Sequence, residues 1–136
     1  MAIELNRDSF EGEVLTSNEL VLIDFWGPQC KPCLALMPSV ERIEKEYSGR
    51  LKVAKVNAAE NRMLCAKLRV MGLPTFLFYK GGEEVKRLTG ETITGGQLIE
   101  SINALLVLDR DREIKKEGRE KKDGVKREEG HCDWRA

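Results

Sequence analysis

The chain has 136 residues; 41% are hydrophobic and 34% charged, and 23 basic side chains balance 23 acidic ones, for a formal net charge of zero. That length suits one domain with something added to it. Zero net charge offers no general attraction to nucleic acid or anionic lipid, and the apolar runs are strand-sized, well short of a membrane span.

Ile3 to Leu5 reads as a short strand. Asn6 or Asp8 is placed to cap a first helix carrying Phe10, Val14 and Leu15, closed by Ser17-Asn18. Val21 to Trp26 reads as a central strand, apolar except for Asp24. A helix is predicted from near Cys33 to Ser48-Gly49, with Leu34, Met37, Val40, Ile43 and Tyr47 at helical spacing. Pro38 falls inside it and predicts a kink. Leu51 to Val56 alternates like a strand, and Asn61 to Arg69 is a helix candidate with Met63, Leu64 and Leu68 as its apolar positions. Thr75 to Tyr79 is aromatic and β-prone; Gly81-Gly82 then turns the chain into the alternating Glu84 to Leu88. Thr94 or Gly95 opens a last helix with Leu98, Ile99, Ile102, Leu105 and Leu106 on one face. The order β-α-β-α-β-α-β-β-α predicts an α/β fold, a central mixed sheet flanked by helices on both faces.

Composition changes at Asp109, dividing the chain into a domain at 1–108 and a charged tail at 109–136. The tail is mostly Lys, Arg, Glu and Asp, with Ile114, Val125 and Trp134 as almost its only large apolar side chains. Such a segment buries too little to offset its ordering entropy. Opposite charges recur at helical spacing in Asp111 with Lys115, Glu117 with Lys121 and Asp123 with Arg127, but Gly118, Gly124 and Gly130 work against a helix. A frayed helical extension to about Glu117 is predicted, then a mobile tail.

The chemistry concentrates at Cys30-Lys31-Pro32-Cys33, between the central strand and the helix that follows. A sulfur at a helix N-terminus meets unpaired N–H groups and the positive end of the helix dipole, which stabilise a thiolate. The thiolate is the form that attacks disulfides. Three-residue spacing lets the second sulfur close onto the first. The same motif also supplies half of many zinc sites, or two ordinary thiols. The N-terminus, Met1 to Asp8, has acids early and no apolar core like a signal peptide's, so a cytoplasmic chain with reactive thiols is expected. Cys65 reads as a half-buried structural thiol. Cys132, beside His131 and Trp134, is an incidental terminal thiol, a third redox thiol able to reach Cys30, or half a metal site.

Asp24-Phe25-Trp26, Cys30-Lys31-Pro32-Cys33, Pro38, Lys55, Gly72-Leu73-Pro74-Thr75 and Gly81-Gly82-Glu83 together resemble the thioredoxin family over roughly residues 1–108. The resemblance implies a thioredoxin fold in which Cys30 is the exposed nucleophile and Cys33 the buried resolving thiol. It implies a cis peptide before Pro74, and a substrate-pairing backbone edge at Leu73, Pro74 and Thr75. It places Asp24 beneath the disulfide as a buried proton acceptor near Lys55. Trp26, Gln29, Lys31 and Pro32 would complete the substrate surface. Three departures stand out. Gln29 replaces the family's tryptophan before the nucleophile, Lys31 replaces a glycine, and Gly27-Pro28 alters the approach. Lys31 is expected to favour the thiolate and make the couple somewhat more oxidising.

The leading reading is a thiol–disulfide oxidoreductase acting on protein disulfides. It needs no cofactor or metal, is fed by a reductase of the thioredoxin-reductase type, is monomeric, and has no nucleic-acid or membrane partner. The alternatives are a binding module for a dedicated partner, which Gln29 and the charged tail favour, and a zinc protein using Cys30, Cys33, His131 and Cys132.

Overall fold

The computed structural model describes residues 3–121, with side chains through Leu108. The strands are β1 (Ile3–Glu4), β2 (Leu20–Trp26), β3 (Leu51–Asn57), β4 (Thr75–Lys80) and β5 (Glu83–Thr89). The helices are α1 (Arg7–Phe10), α2 (Lys31–Glu46), α3 (Arg62–Lys67) and α4 (Gly95–Lys121). The described strands form a five-stranded sheet in the order β1-β3-β2-β4-β5. β3 runs parallel to both β1 and β2, while β4 is antiparallel to β2 and to β5. This is the expected mixed sheet.

The alternation of β2, β3 and β4 assigns the two faces. Val21, Ile23, Phe25, Ala54, Val56, Leu77 and Tyr79 pack in one core cluster with Phe10 and Val14, and with Leu64 and Cys65 of α3. The intervening residues Leu22, Asp24, Val53, Phe76 and Phe78 are also buried, on the opposite face. There Lys55 reaches Met37 of α2. Helices therefore cover both faces, and β2 reads as a near-continuous apolar run because neither side meets water.

Local chemistry sets the boundaries. Asn6 caps α1 in a reciprocal pair with Ser9, at 2.9 and 3.0 Å. The chain then widens into a π-helical turn over Glu11–Leu15, which turns Leu15 outward (38% exposed) and leaves Val14 as the buried contact. α2 starts earlier than the spacing predicts, at Lys31. Its buried stripe is Cys33, Leu36, Val40, Ile43 and Tyr47, so Leu34, expected on the apolar face, is 43% exposed. α3 is only six residues long and buries Leu64 and Cys65; Met63, expected as an apolar position, is 66% exposed. Gly81 and Gly82 have φ of 63° and 84°, the left-handed pair that a tight hairpin turn demands.

Two compact units divide the chain, Met1–Ser101 and Ile102–Ala136. In the first, Thr94 and Gln97 form a capping box at the start of α4 (2.9 and 3.1 Å), and Leu98 is fully buried. In the second, α4 continues from Ile102 to Lys121 and passes Asp109 without a break, four residues beyond the end expected at Glu117. Asp123, Gly124, Val125, Arg127, Gly130, His131, Cys132 and Trp134, and with them the expected mobile tail, lie outside the described residues, as do the side chains of Asp111, Ile114, Lys115, Glu117 and Lys121. No helix among the described residues is long and apolar enough to cross a membrane.

Candidate active site

Cys30 occupies the N-cap of α2. Its backbone is extended (φ −93°, ψ 102°), its N–H donates to Gly27 O at 3.1 Å, and its sulfur accepts the Cys33 N–H at 3.2 Å. A sulfur thus takes the place of the usual capping oxygen. Pro32 sits in the first turn, where a missing N–H costs nothing. The two cysteines are joined in a disulfide with Cα atoms 5.2 Å apart. Cys33 is 1% exposed and Cys30 is half-buried, so the pair has an inner and an outer sulfur.

The second wall of the site arrives from the far end of the sequence. The Leu73–Pro74 peptide is cis. A Cβ on Gly27 would lie 3.2 Å from Leu73 Cδ1 and 4.0 Å from Cys30 Cβ, so the Cys30 loop and the Pro74 loop close on each other across Gly27. Glycine is what allows the approach. Pro74 and Thr75 are buried and Leu73 is half-buried. The Thr75 hydroxyl donates to Gly72 O at 2.6 Å and lies 3.0 Å from the Thr89 hydroxyl, and the Gly90 N–H donates to Pro74 O at 3.0 Å.

A row of charges crosses one face of the sheet. Glu4, Lys55 and Asp24 are cross-strand neighbours on β1, β3 and β2, and they share one face. Glu4 is exposed, Lys55 half-buried, and Asp24 1% exposed. Neither Asp24 oxygen has a hydrogen-bond partner among the described residues. Burial pushes its carboxyl up to about 7; Lys55 opposes the rise and Glu4 adds to it. The Lys55 ammonium donates to Met37 Sδ at 3.5 Å.

The structure thus brings Cys30 and Leu73 together across Gly27, joins Cys30 to Cys33, and pairs Asp24 with Lys55 across the sheet. Gln29 and Lys31 are exposed beside Cys30, and Pro32 is half-buried. Trp26 ends β2 half-buried, its indole N–H without a partner among the described residues. Cys65 is 8% exposed, deeper than its expected half-burial, and desolvation raises its thiol pKa, which makes it a packing residue. Among the described residues no cluster of three or more His, Cys, Asp or Glu is placed to hold a metal. Met37, Glu4 and Thr89 went unforeseen because each enters through tertiary contact. Gly27 carried a local signal, a glycine three residues before the first cysteine.

The family model for thioredoxin matches residues 1–104. The chain is similar to the thioredoxin of Acetoanaerobium sticklandii, with 41% identity over 95 residues, covering 70% of this chain and 90% of that protein. It is similar to the thioredoxin of Peptoclostridium acidaminophilum, with 36% identity over 106 residues, 78% of this chain and 93% of that one. It is also similar to thioredoxin 1 of Nostoc sp., with 38% identity over 89 residues, 65% of this chain and 83% of that one. A dithiol motif capping a helix, a cis proline against it and a family match spanning both place the chain in the thioredoxin family.

Proposed function

We propose that this thiol–disulfide oxidoreductase uses Cys30 to attack disulfides in protein substrates and Cys33 to resolve the product. The Cys30 thiolate attacks one sulfur of the target disulfide, a mixed disulfide forms, and the target's other sulfur leaves as a thiolate. Cys33 then gives its proton to the Asp24 carboxylate and attacks Cys30. The second target sulfur leaves, the target has gained two electrons, and Cys30–Cys33 is a disulfide. The observation that carries the assignment is the difference in burial, a half-buried sulfur at the helix N-cap and a sealed one behind it.

The backbone edge of Leu73, Pro74 and Thr75 would pair with an extended segment of the target. Trp26, Gln29, Lys31 and Pro32 would form the rim. Lys55 would set the charge felt by Asp24. A reductase of the thioredoxin-reductase type would return the electrons. Residues 1–108 would form the catalytic domain of a cytoplasmic monomer, with 109–136 as a charged appendage; the composition break at Asp109 supports that division. Gln29 favours a second reading, a binding module for one dedicated partner, since the flat apolar contact of a tryptophan is missing there.

Insulin reduction with dithiothreitol as electron source separates the readings. Cys30→Ser should abolish turnover, and Cys33→Ser should accumulate mixed disulfides. A wild-type protein without turnover would favour the binding module. Alkylation of Cys33 before Cys30 under limiting reagent would reverse the two roles.

A further inference from the structure

The segment that delivers Pro74 to the disulfide is strung between two anchors, and both belong to the same edge strand. At its start, α3 closes with Arg69 in the left-handed region (φ 59°). The Arg69 N–H donates to Ala66 O at 3.1 Å and the Val70 N–H to Cys65 O at 2.8 Å. This is the Schellman closure, normally built on glycine. It leaves the carbonyls of Leu68 and Arg69 without helical partners. The Arg87 guanidinium takes both, Nη2 donating to Leu68 O and Nη1 to Arg69 O, each at 2.8 Å. Glu84 holds the guanidinium from behind, accepting from Nε at 2.8 Å and from Nη2 at 2.9 Å. At the end of the segment, Thr89 and Gly90 secure Thr75 and Pro74. Arg87 and Thr89 alternate on β5, so they project to the same side. Between the anchors, Met71 is 90% exposed and Gly72 stands in open space.

We propose that Arg87 is a positioning residue for protein substrates: its grip on Leu68 and Arg69 sets where the Leu73-Pro74-Thr75 edge stands relative to Cys30. The inference rests on the reading that targets pair along that edge. An exposed ion pair with Glu84 alone would contribute little. Here the carboxylate orients a planar fork, and the fork bridges two carbonyls that no other described group satisfies. A lysine ammonium has no such fork. Any loosening of the grip lets the edge drift, and a small misplacement is expensive when two sulfurs must align.

The test compares Arg87→Gln, Arg87→Lys and Glu84→Gln with wild type on insulin and on a small aromatic disulfide that has no peptide to pair. Arg87→Gln should lower the ratio of the two kcat/KM values about 3- to 10-fold, mostly through KM on insulin. Arg87→Lys should fail to rescue it, and Glu84→Gln should fall between. Amide exchange at Val70 to Gly72 should quicken in Arg87→Gln. A lower Tm with an unchanged ratio and unchanged exchange would make Arg87 a plain helix cap and overturn the positioning role alone. Faster exchange with an unchanged ratio would overturn the substrate-edge reading as well, because the edge would have loosened without cost. An equal loss on both disulfides would also overturn the proposal, since the effect would then lie at the sulfurs.

Discussion

Asp24 and Thr75 are buried polar residues on adjacent strands, and the fold treats them in opposite ways. Each is 1% exposed. Thr75 pairs across the sheet with Phe25, next to Asp24, and points to the face covered by α3. Its hydroxyl is fully engaged, by Gly72 O at 2.6 Å and the Thr89 hydroxyl at 3.0 Å. Asp24 points to the face covered by α2 with neither oxygen hydrogen-bonded among the described residues. A buried polar group without partners costs stability, and one with partners does not. Thr75 therefore holds structure. Asp24 is a cost the fold carries, and the proton transfer proposed for its carboxyl, raised to about 7, would be a use that explains it.

Asp24→Asn tests the costly side of that contrast and should show the largest effect. Burial raises the Asp24 carboxyl to about 7 from the ordinary 3.8. Between those values the folded protein holds a proton that the unfolded chain has released. The wild type is therefore unpenalised below about pH 4 and loses stability as pH rises through 7. The loss approaches about 4 kcal/mol at 1.36 kcal/mol per pH unit. In denaturant melts of the oxidised forms, the variant should match wild type near pH 4 and exceed it by up to that amount at pH 8. In kinetics the order should reverse, with mixed disulfides resolving more slowly in the variant at neutral pH. A stability difference that does not change with pH would mean that the carboxyl is not the buried acid described here.

Thr75→Val tests the satisfied side. It leaves Gly72 O without its hydroxyl donor and should cost about 1–3 kcal/mol. Because no titrating group is involved, the loss should be equal at pH 4 and pH 8, opposite in sign to Asp24→Asn and flat where that one slopes. A pH-dependent loss would merge the two sites into one network.

Lys31→Gln has the smallest expected effect, outside both buried sites. Lys31 is exposed beside Cys30, so its charge is screened, and removing it should make the couple more reducing by no more than about 20 mV. Equilibration against glutathione measures this, and a shift to a less reducing potential would count against the charge argument.

The element order along the chain, the two-faced mixed sheet and the cysteine pair were legible in the sequence because each rests on local pattern. β2 and β4 announced themselves by unbroken apolar runs, the hairpin by Gly81-Gly82, and the helix start by a cysteine pair after a strand. Resemblance supplied what pattern could not. Pro74 is cis, and alternation alone would have sent Lys55 to solvent, whereas it lies half-buried against Met37. Failures came where tertiary context overrode spacing. Leu34, Met63 and Leu15 sit at plausible helical positions, yet α2 begins two residues early, α3 is under two turns long, and a π-turn rotates Leu15 outward. Arg87 was the least legible. Its neighbours describe an ordinary exposed strand, and its proposed role exists only because the chain leaving α3 presents the Arg69 carbonyl, eighteen residues away.

The sulfur that caps α2 gives the helix a memory of its chemical state. Cys30 Sγ accepts the Cys33 N–H while bonded to Cys33, and a disulfide sulfur is a weak acceptor. Once reduced and ionised, the same atom becomes a charged acceptor for the same N–H, and charge-assisted bonds are shorter and about twice as strong. The first turn of α2 is thus tightened by the electrons the protein carries, and slackened each time it gives them away.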